Sequence, residues 1–439
     1  MRVVAHALGT PFELPLPLSV FLGGASVVLL FSFLALGRLW RTSRFEGGDG
    51  TPLPAAVQRA ARLAGVVGRV VTLALFAAVF YSGLAGRNLV DANLAPRAVY
   101  VVFWVGLTVI SAVFGDVWRA VSPFDTICAI GQWLRGRLGR SGAPPRQYPR
   151  HWGYWPAAAG LFGFVWLELA YGDAADPRNV AFAMEVYTLA MLAGAATWGR
   201  DWLRRGEGFA VYFTLLSHMA PFFRTDDGKL RVRPPLSGLA RLAPVPGTAA
   251  VVFVALGSTS FDGLSRTRLW TELVAAQNQS NLMVSATVGL AWMIATVAVL
   301  YVAAMHVAGR LTGRAPDSLV MWFLPSLVPI VFAYAVAHYF TLLVFEGQTA
   351  VVLASDPLGR GADYLGTAGW AVNLTLVTNR QVAWVQAGAI VVGHIAAVVA
   401  AHDRAVDRVG DHEVARTQYP LLGAMVLYTV GGLALLLGR

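Results

Sequence analysis

Apolar residues fall in runs of about twenty, long enough to cross a hydrocarbon core of about 30 Å. The runs recur from Leu18 to Gly438, separated by short polar connections. They predict spans at 17–38, 65–85, 98–117, 154–171, 179–199, 282–308, 319–345, 382–402 and 419–437, with a shorter one at 245–261. Two further apolar stretches are too short to cross. Gly208 to Phe223 is preceded by Arg200, Arg204 and Arg205 and followed by Arg224, Lys229, Arg231 and Arg233. Basic flanks on both sides predict a re-entrant or surface-lying helix that returns to the side it left. Ser122 to Leu134 reads as a second interfacial helix. The expected fold is all-α: a polytopic transmembrane helix bundle of about ten spans, forming one integral membrane domain over 1–439.

Short cytoplasmic loops are enriched in Lys and Arg, and here the enrichment alternates. The connections at 39–64, 118–153, 200–244 and 403–418 carry the arginine blocks and are expected inside. Those at 86–97 and 172–178 hold Asp91, Asp173 and Asp176 against few basic residues and are expected outside. Both termini then lie outside the cytoplasm, in the plasma membrane. The first run, Leu18 to Leu36, is followed and not preceded by basic residues, the reverse of a cleaved signal, and is expected to be retained. Pro325 and Pro329 lie inside the span 319–345, where each removes a helical hydrogen bond and predicts a kink that opens a cavity.

Composition fits this picture. The 439 residues are 56% hydrophobic and 13% charged, against roughly a quarter charged in soluble chains. The net charge of +10 comes from arginine blocks between apolar runs, not from a basic stripe with interleaved aromatics, so the expected partner is a lipid bilayer and not nucleic acid. Cys128 is the only cysteine, which excludes an internal disulfide.

Ionisable side chains inside spans cost several kcal/mol unless they face a cavity or a partner. Arg69, Asp116 and His306 lie near span ends and can snorkel. Glu168, Glu185, His338 and His394 lie deeper. Glu185 and His338 fall roughly 9 and 10 Å from the outer ends of their helices, so they are expected to face one internal cavity. His394 lies nearer the midplane. Glu185, His338 and His394 are therefore candidate ligands for a divalent metal, or carriers of a proton; the alternative makes each a helix-packing hydrogen-bonder, with Tyr334 beside His338. Polar residues of the outer loops form a second group: His6, Glu13, Asp262, Arg266, Glu272, Glu346, Asp356, Arg360 and Asp363. Asp262 follows Gly257, Ser258, Thr259 and Ser260 at the end of a short span, a pattern that reads either as a backbone bent toward a cavity or as a solvated helix cap. The chain has no His-Glu-x-x-His metal motif, no Gly-x-Ser-x-Gly elbow, and no phosphate loop.

Across roughly residues 5 to 437 the chain resembles the actinobacterial multi-pass membrane proteins named fenitrothion hydrolase. The resemblance rests on AHALGTPFELPLPLSVFLGGASVVLLFSF, GYWPAAAGLFGFVWLEL, EGFAVYFTLL, LGSTSFDGLSRT, VPIVFAYAVAHYF, SDPLGRGADYLGTAG, IVVGHIAAVVAAHDRAV and QYPLLGAMVLYTVGGLALL, in that order. Asp262, His338, His394, His402 and Asp403 match family positions. The opening departs from the family's His-Gly-Leu-Gly-Gly-Arg, reading His6-Ala7-Leu8-Gly9-Thr10-Pro11 here, and His218 carries no expected role. The resemblance implies hydrolysis of organophosphate esters. Residue chemistry then assigns Glu185, His338 and His394 to a divalent metal that activates water, with Asp262 and His338 as catalytic groups and Asp262 as base at the outer mouth. The rival expectation is a transporter or permease component using the same residues along a proline-opened cavity. A third is a non-catalytic subunit that docks a membrane or cytoplasmic partner.

Overall fold

The computed structural model describes residues 17–45, 50–139, 145–225, 227–409 and 413–437. His6 and Glu13 lie outside them. Each of the ten expected spans is helical. The main helices are α1 (Leu18–Leu39), α2 (Ala55–Ala85), α3 (Leu94–Phe114), α4 (Pro123–Arg137), α5 (Trp155–Leu169), α6 (Pro177–Trp198), α7 (Gly208–Ser217), α8 (Thr248–Ser265), α9 (Gln279–Thr312), α10 (Pro316–Phe323), α11 (Val328–Ser355), α12 (Asn379–Arg408) and α13 (Val414–Leu437). Among the described residues nine helices are long and apolar enough to cross a membrane, with α10 and α11 counted together. The tenth expected span, α5, has 15 residues and falls below that length.

The connections sort to two ends of the bundle. At one end the arginine-rich loops meet. A small antiparallel sheet, β1 (Thr51–Pro52), β2 (Phe222–Arg224) and β3 (Leu230–Val232), has the order β1-β3-β2 and ties the first of these loops to the third. Gln58 extends it, donating to Leu230 O at 2.6 Å and accepting from Leu230 N at 2.8 Å. Trp40 Nε1, Ser43 Oγ and Arg44 N all donate to Asp403, and Arg404 donates to Leu239 O and Leu242 O. At the other end Asn88 donates to Asp176, and Arg87 N donates to Leu358 O. The loop grouping expected from charge is thus a contact grouping as well.

The segment from 199 to 247 leaves and rejoins the arginine-rich end, so α7 does not cross. It is ten residues long and buried along almost its whole length, against α3, α5, α8 and α11. That excludes the surface-lying alternative and leaves the re-entrant one. Opposite charges close its two ends, as the helix dipole favours. The Glu207 carboxylate accepts from Phe209 N and Ala210 N, and the Arg233 guanidinium donates to the carbonyls of Ser217, His218 and Ala220.

The prolines break the expected span 319–345 as predicted. α10 ends at Phe323, a tight 3-10 turn covers Leu324–Leu327, and α11 starts at Val328. The expected cavity does not follow. The turn is buried, Ser326 Oγ takes up the Phe323 carbonyl at 2.6 Å, and the void beside Val328 and Val331 holds only about 10 Å³. Gly393 helps to fill the gap: a Cβ there would stand 2.1 Å from Ala333 Cβ and 3.0 Å from Pro329 O, so α12 lies directly on the kinked segment.

Candidate functional site

The centre of the candidate site is supplied by α8, the most buried of the spanning helices. Gly257 lets it press on α9, since a Cβ would come within 2.5 Å of Ile294 Cα. Ser258, Thr259 and Ser260 turn their hydroxyls back onto the carbonyls of Ala255 and Leu256, at 2.8 to 3.1 Å. This intrahelical satisfaction lets three hydroxyls sit in an apolar core. Asp262 follows within the helix and is 4% exposed. It is therefore neither a solvated cap nor a base at an open outer mouth, the two roles expected for it.

Asp262 is instead a shared acceptor. Arg266, one turn on, donates to it through Nη2 at 2.8 Å to each carboxylate oxygen and through Nε at 3.2 Å to Oδ1. From α11, His338 Nε2 lies 2.5 Å from Asp262 Oδ2. His338 is buried, with its ring edge-on to Tyr339. On α5, Glu168 is within electrostatic reach of both Asp262 and Arg266, and its Oε2 is buried with no hydrogen-bond partner among the described residues. One carboxylate, one imidazole and one guanidinium thus meet between α8 and α11, with the Glu168 carboxylate of α5 in their field.

His394 belongs to an adjoining layer. It is fully buried on α12; Nδ1 lies 2.8 Å from Ile390 O, and Nε2 has no partner among the described residues. Its ring faces Tyr334 at 6.3 Å and Tyr428 at 6.4 Å. Tyr334 donates to Tyr428 O, and the Tyr428 hydroxyl meets Ser260 Oγ at 2.7 Å. This layer joins the first through α8, where Ser260 precedes Asp262 by two residues. It joins again through α11, where Tyr334 precedes His338 by one turn.

Glu185 is not in either layer. It is exposed on α6 in a stripe with Phe182, Val186 and Leu189. The shared cavity expected for Glu185 and His338 is therefore not formed. Depth along a helix was legible from the rise per residue, but rotation about the axis was not, and Glu185 points outward. Among the described residues no three His, Cys, Asp or Glu side chains are grouped to hold a metal ion. At the Asp262–His338 pair a cation would also have to displace the Arg266 guanidinium. The donor set expected for a divalent metal, Glu185, His338 and His394, does not fit one.

Other singled-out residues have structural partners. His402 and Asp403 hold α1, Glu346 pairs with Arg97 at 3.1 Å, and Glu272 pairs with Arg268. Asp116 accepts from Thr214, and Arg69 donates to Ala120 O. The sequence reading missed Glu207, which takes four donors: Trp118 Nε1, Tyr187 Oη and the two α7 amides. Its only sequence signal is an acidic residue directly before Gly208 at the start of a short apolar run. Comparisons with protein-family models, curated proteins and solved structures return no match.

Proposed function

We propose that this multi-pass membrane protein handles a proton at the Asp262–His338 pair and couples its movement to passage of a solute. The observation that carries the reading is the shared Asp262 carboxylate. Imidazole changes charge near physiological pH, but an isolated charge in an apolar core costs several kcal/mol. Here loss of the His338 proton leaves Asp262 still paired with Arg266, so the pair passes between its two states without an unbalanced carboxylate. Arg266 itself closes the end of α8 with a partly exposed side chain, which connects the pair to the surface. Glu168 is the nearby second carboxylate. The membrane is the plasma membrane, with the arginine-rich end inside and both termini outside, as the basic loops favour.

A second reading is hydrolysis of a lipophilic phosphotriester, for which a carboxylate-oriented imidazole is a suitable general base and which the resemblance to fenitrothion hydrolases favours. One set of proteoliposomes separates the two. Vesicles with a trapped pH dye are given an imposed potential, and fenitrothion is then added while dye signal and ester are both followed. Transport predicts proton flux in the wild type that is lost in Asp262→Asn and His338→Gln, with the ester intact. Ester loss that needs the same two residues and is insensitive to chelator moves the assignment to hydrolysis. Equal proton flux in all three proteins, with no ester consumed, removes both.

A further inference from the structure

A cavity of about 230 Å³ lies at the arginine-rich end, away from the Asp262–His338 pair. It is bounded by the short helices Val117–Val121 and Arg200–Arg205, by α4 and α7, and by Tyr154 at the start of α5. Its lining includes Arg119, Arg204, Arg205, Tyr154, Asp201 and Glu207. The sequence accounts for these arginines as markers of membrane orientation, which needs charge but no concavity.

From this cavity we infer a binding site for a phosphoryl anion, either a lipid headgroup phosphate or a free phosphate. Among the described residues the guanidinium groups of Arg119, Arg204 and Arg205 form no ion pair and no hydrogen bond, although all three line one cavity. Two of the cavity's three carboxylates are engaged elsewhere, and the third, Asp201, is exposed. Glu207 accepts from four donors, and Asp125 lies 3.8 Å from Arg200. The donors left over are therefore guanidinium N–H groups, whose planar fork matches phosphate oxygens two at a time. The Tyr154 hydroxyl lies in the field of Arg205 and Arg119 and adds a neutral donor. The surroundings suit a headgroup. Tyr148, Trp152, Trp198 and Trp202 cluster beside the cavity, with Trp198 stacked on Trp202 at 5.3 Å, and aromatic side chains of this kind collect at the level of lipid headgroups. Basic pockets between spans at such a level bind phosphate-bearing lipids.

The test uses the full chain in phosphatidylcholine nanodiscs, with or without phosphatidic acid, and binding of radiolabelled inorganic phosphate by equilibrium dialysis. Retained phosphatidic acid is counted by native mass spectrometry. Wild type is compared with the double variants Arg204→Ala/Arg205→Ala and Arg204→Lys/Arg205→Lys, and with Arg268→Ala at the opposite end as control. Binding is expected to weaken about tenfold or more in the Ala pair, less in the Lys pair, which keeps charge but loses the fork, and not at all in Arg268→Ala. Should the Ala pair fail to fold, the Lys pair carries the comparison. Phosphatidic acid retained without phosphate binding assigns the site to a headgroup; phosphate binding that competes with the lipid assigns it to the free anion. No binding of either, or binding equal in wild type and the Lys pair with a parallel loss in Arg268→Ala, overturns the inference.

Discussion

His338 Nε2 and Asp262 Oδ2 lie 2.5 Å apart, joining two residues that are 76 positions apart in sequence. The contact locks α11 to α8 at the one level where Arg266 also reaches the carboxylate. Removing either partner leaves a buried group whose counterpart was built for it.

Asp262→Ala should therefore cost about 3–5 kcal/mol, the usual consequence of breaking a buried ion pair from one side. His338→Ala should cost less, because Arg266 still neutralises Asp262. Thermal unfolding in detergent of both single variants and the double variant measures this. Additive losses would show that the two side chains are not coupled.

Glu185→Gln should leave stability within about 0.5 kcal/mol of wild type and should leave proton flux intact, since Glu185 is exposed on α6 and has no part in the pair. Loss of flux in this variant would return Glu185 to the site.

The re-entrant path of α7 can be checked by labelling. With Cys128 replaced by Ser, a cysteine at position 228, in the turn between β2 and β3, should react with an impermeant thiol reagent from the same side as one placed at 59 on α2. Opposite sidedness would mean that α7 crosses.

The loop after α11 should open in acid. Ser355 Oγ donates to Asp363 at 2.5 Å and Ala368 N donates at 3.0 Å, holding this carboxyl below its ordinary value. At Asp356 burial pushes the other way, but the amides of Arg360, Gly361, Ala362 and Gly359 together outweigh it and the net shift is again downward. A depressed folded value means the stabilisation is complete at neutral pH. It starts to go as pH falls below the ordinary Asp value of about 3.9 and is lost on passing below the folded values. Proteolysis between 356 and 378 should accelerate below that pH in the wild type, and Asp363→Asn should be cut faster at neutral pH. A flat rate across that range would contradict the assignment.

The spans were legible because hydrophobic length is a one-dimensional property, and the grouping of loops followed from charge alternation. The pairings across helices were not. His338 stood out as an ionisable group in an apolar run, and Asp262 as the end of a run of hydroxylated residues, yet nothing local linked them. Glu185 shows the same limit from the other direction: its depth matches that of His338, while its helix turns it away. Arg204 and Arg205 were legible as charge but not as the wall of a cavity, which needs Tyr154 and Glu207 brought in from other elements.

His402, Asp403 and Arg404 are consecutive on α12 and point three ways. His402 reaches Gln418 on α13 and the Trp40 carbonyl beyond α1, Asp403 takes the Trp40 indole and Arg44 N, and Arg404 holds the Leu239 and Leu242 carbonyls. Among apolar helices in lipid there is little hydrophobic penalty for sliding, since a neighbour's side chain and an acyl chain are equally good company. These three residues act as a depth gauge. His402 and Asp403 stop α1 from riding up or down along α12 and α13, and Arg404 fixes the segment at 239–242, so the first helix keeps its height in the bilayer through polar contacts at one end while the face it does not pack on α12 and α13 is left to meet lipid.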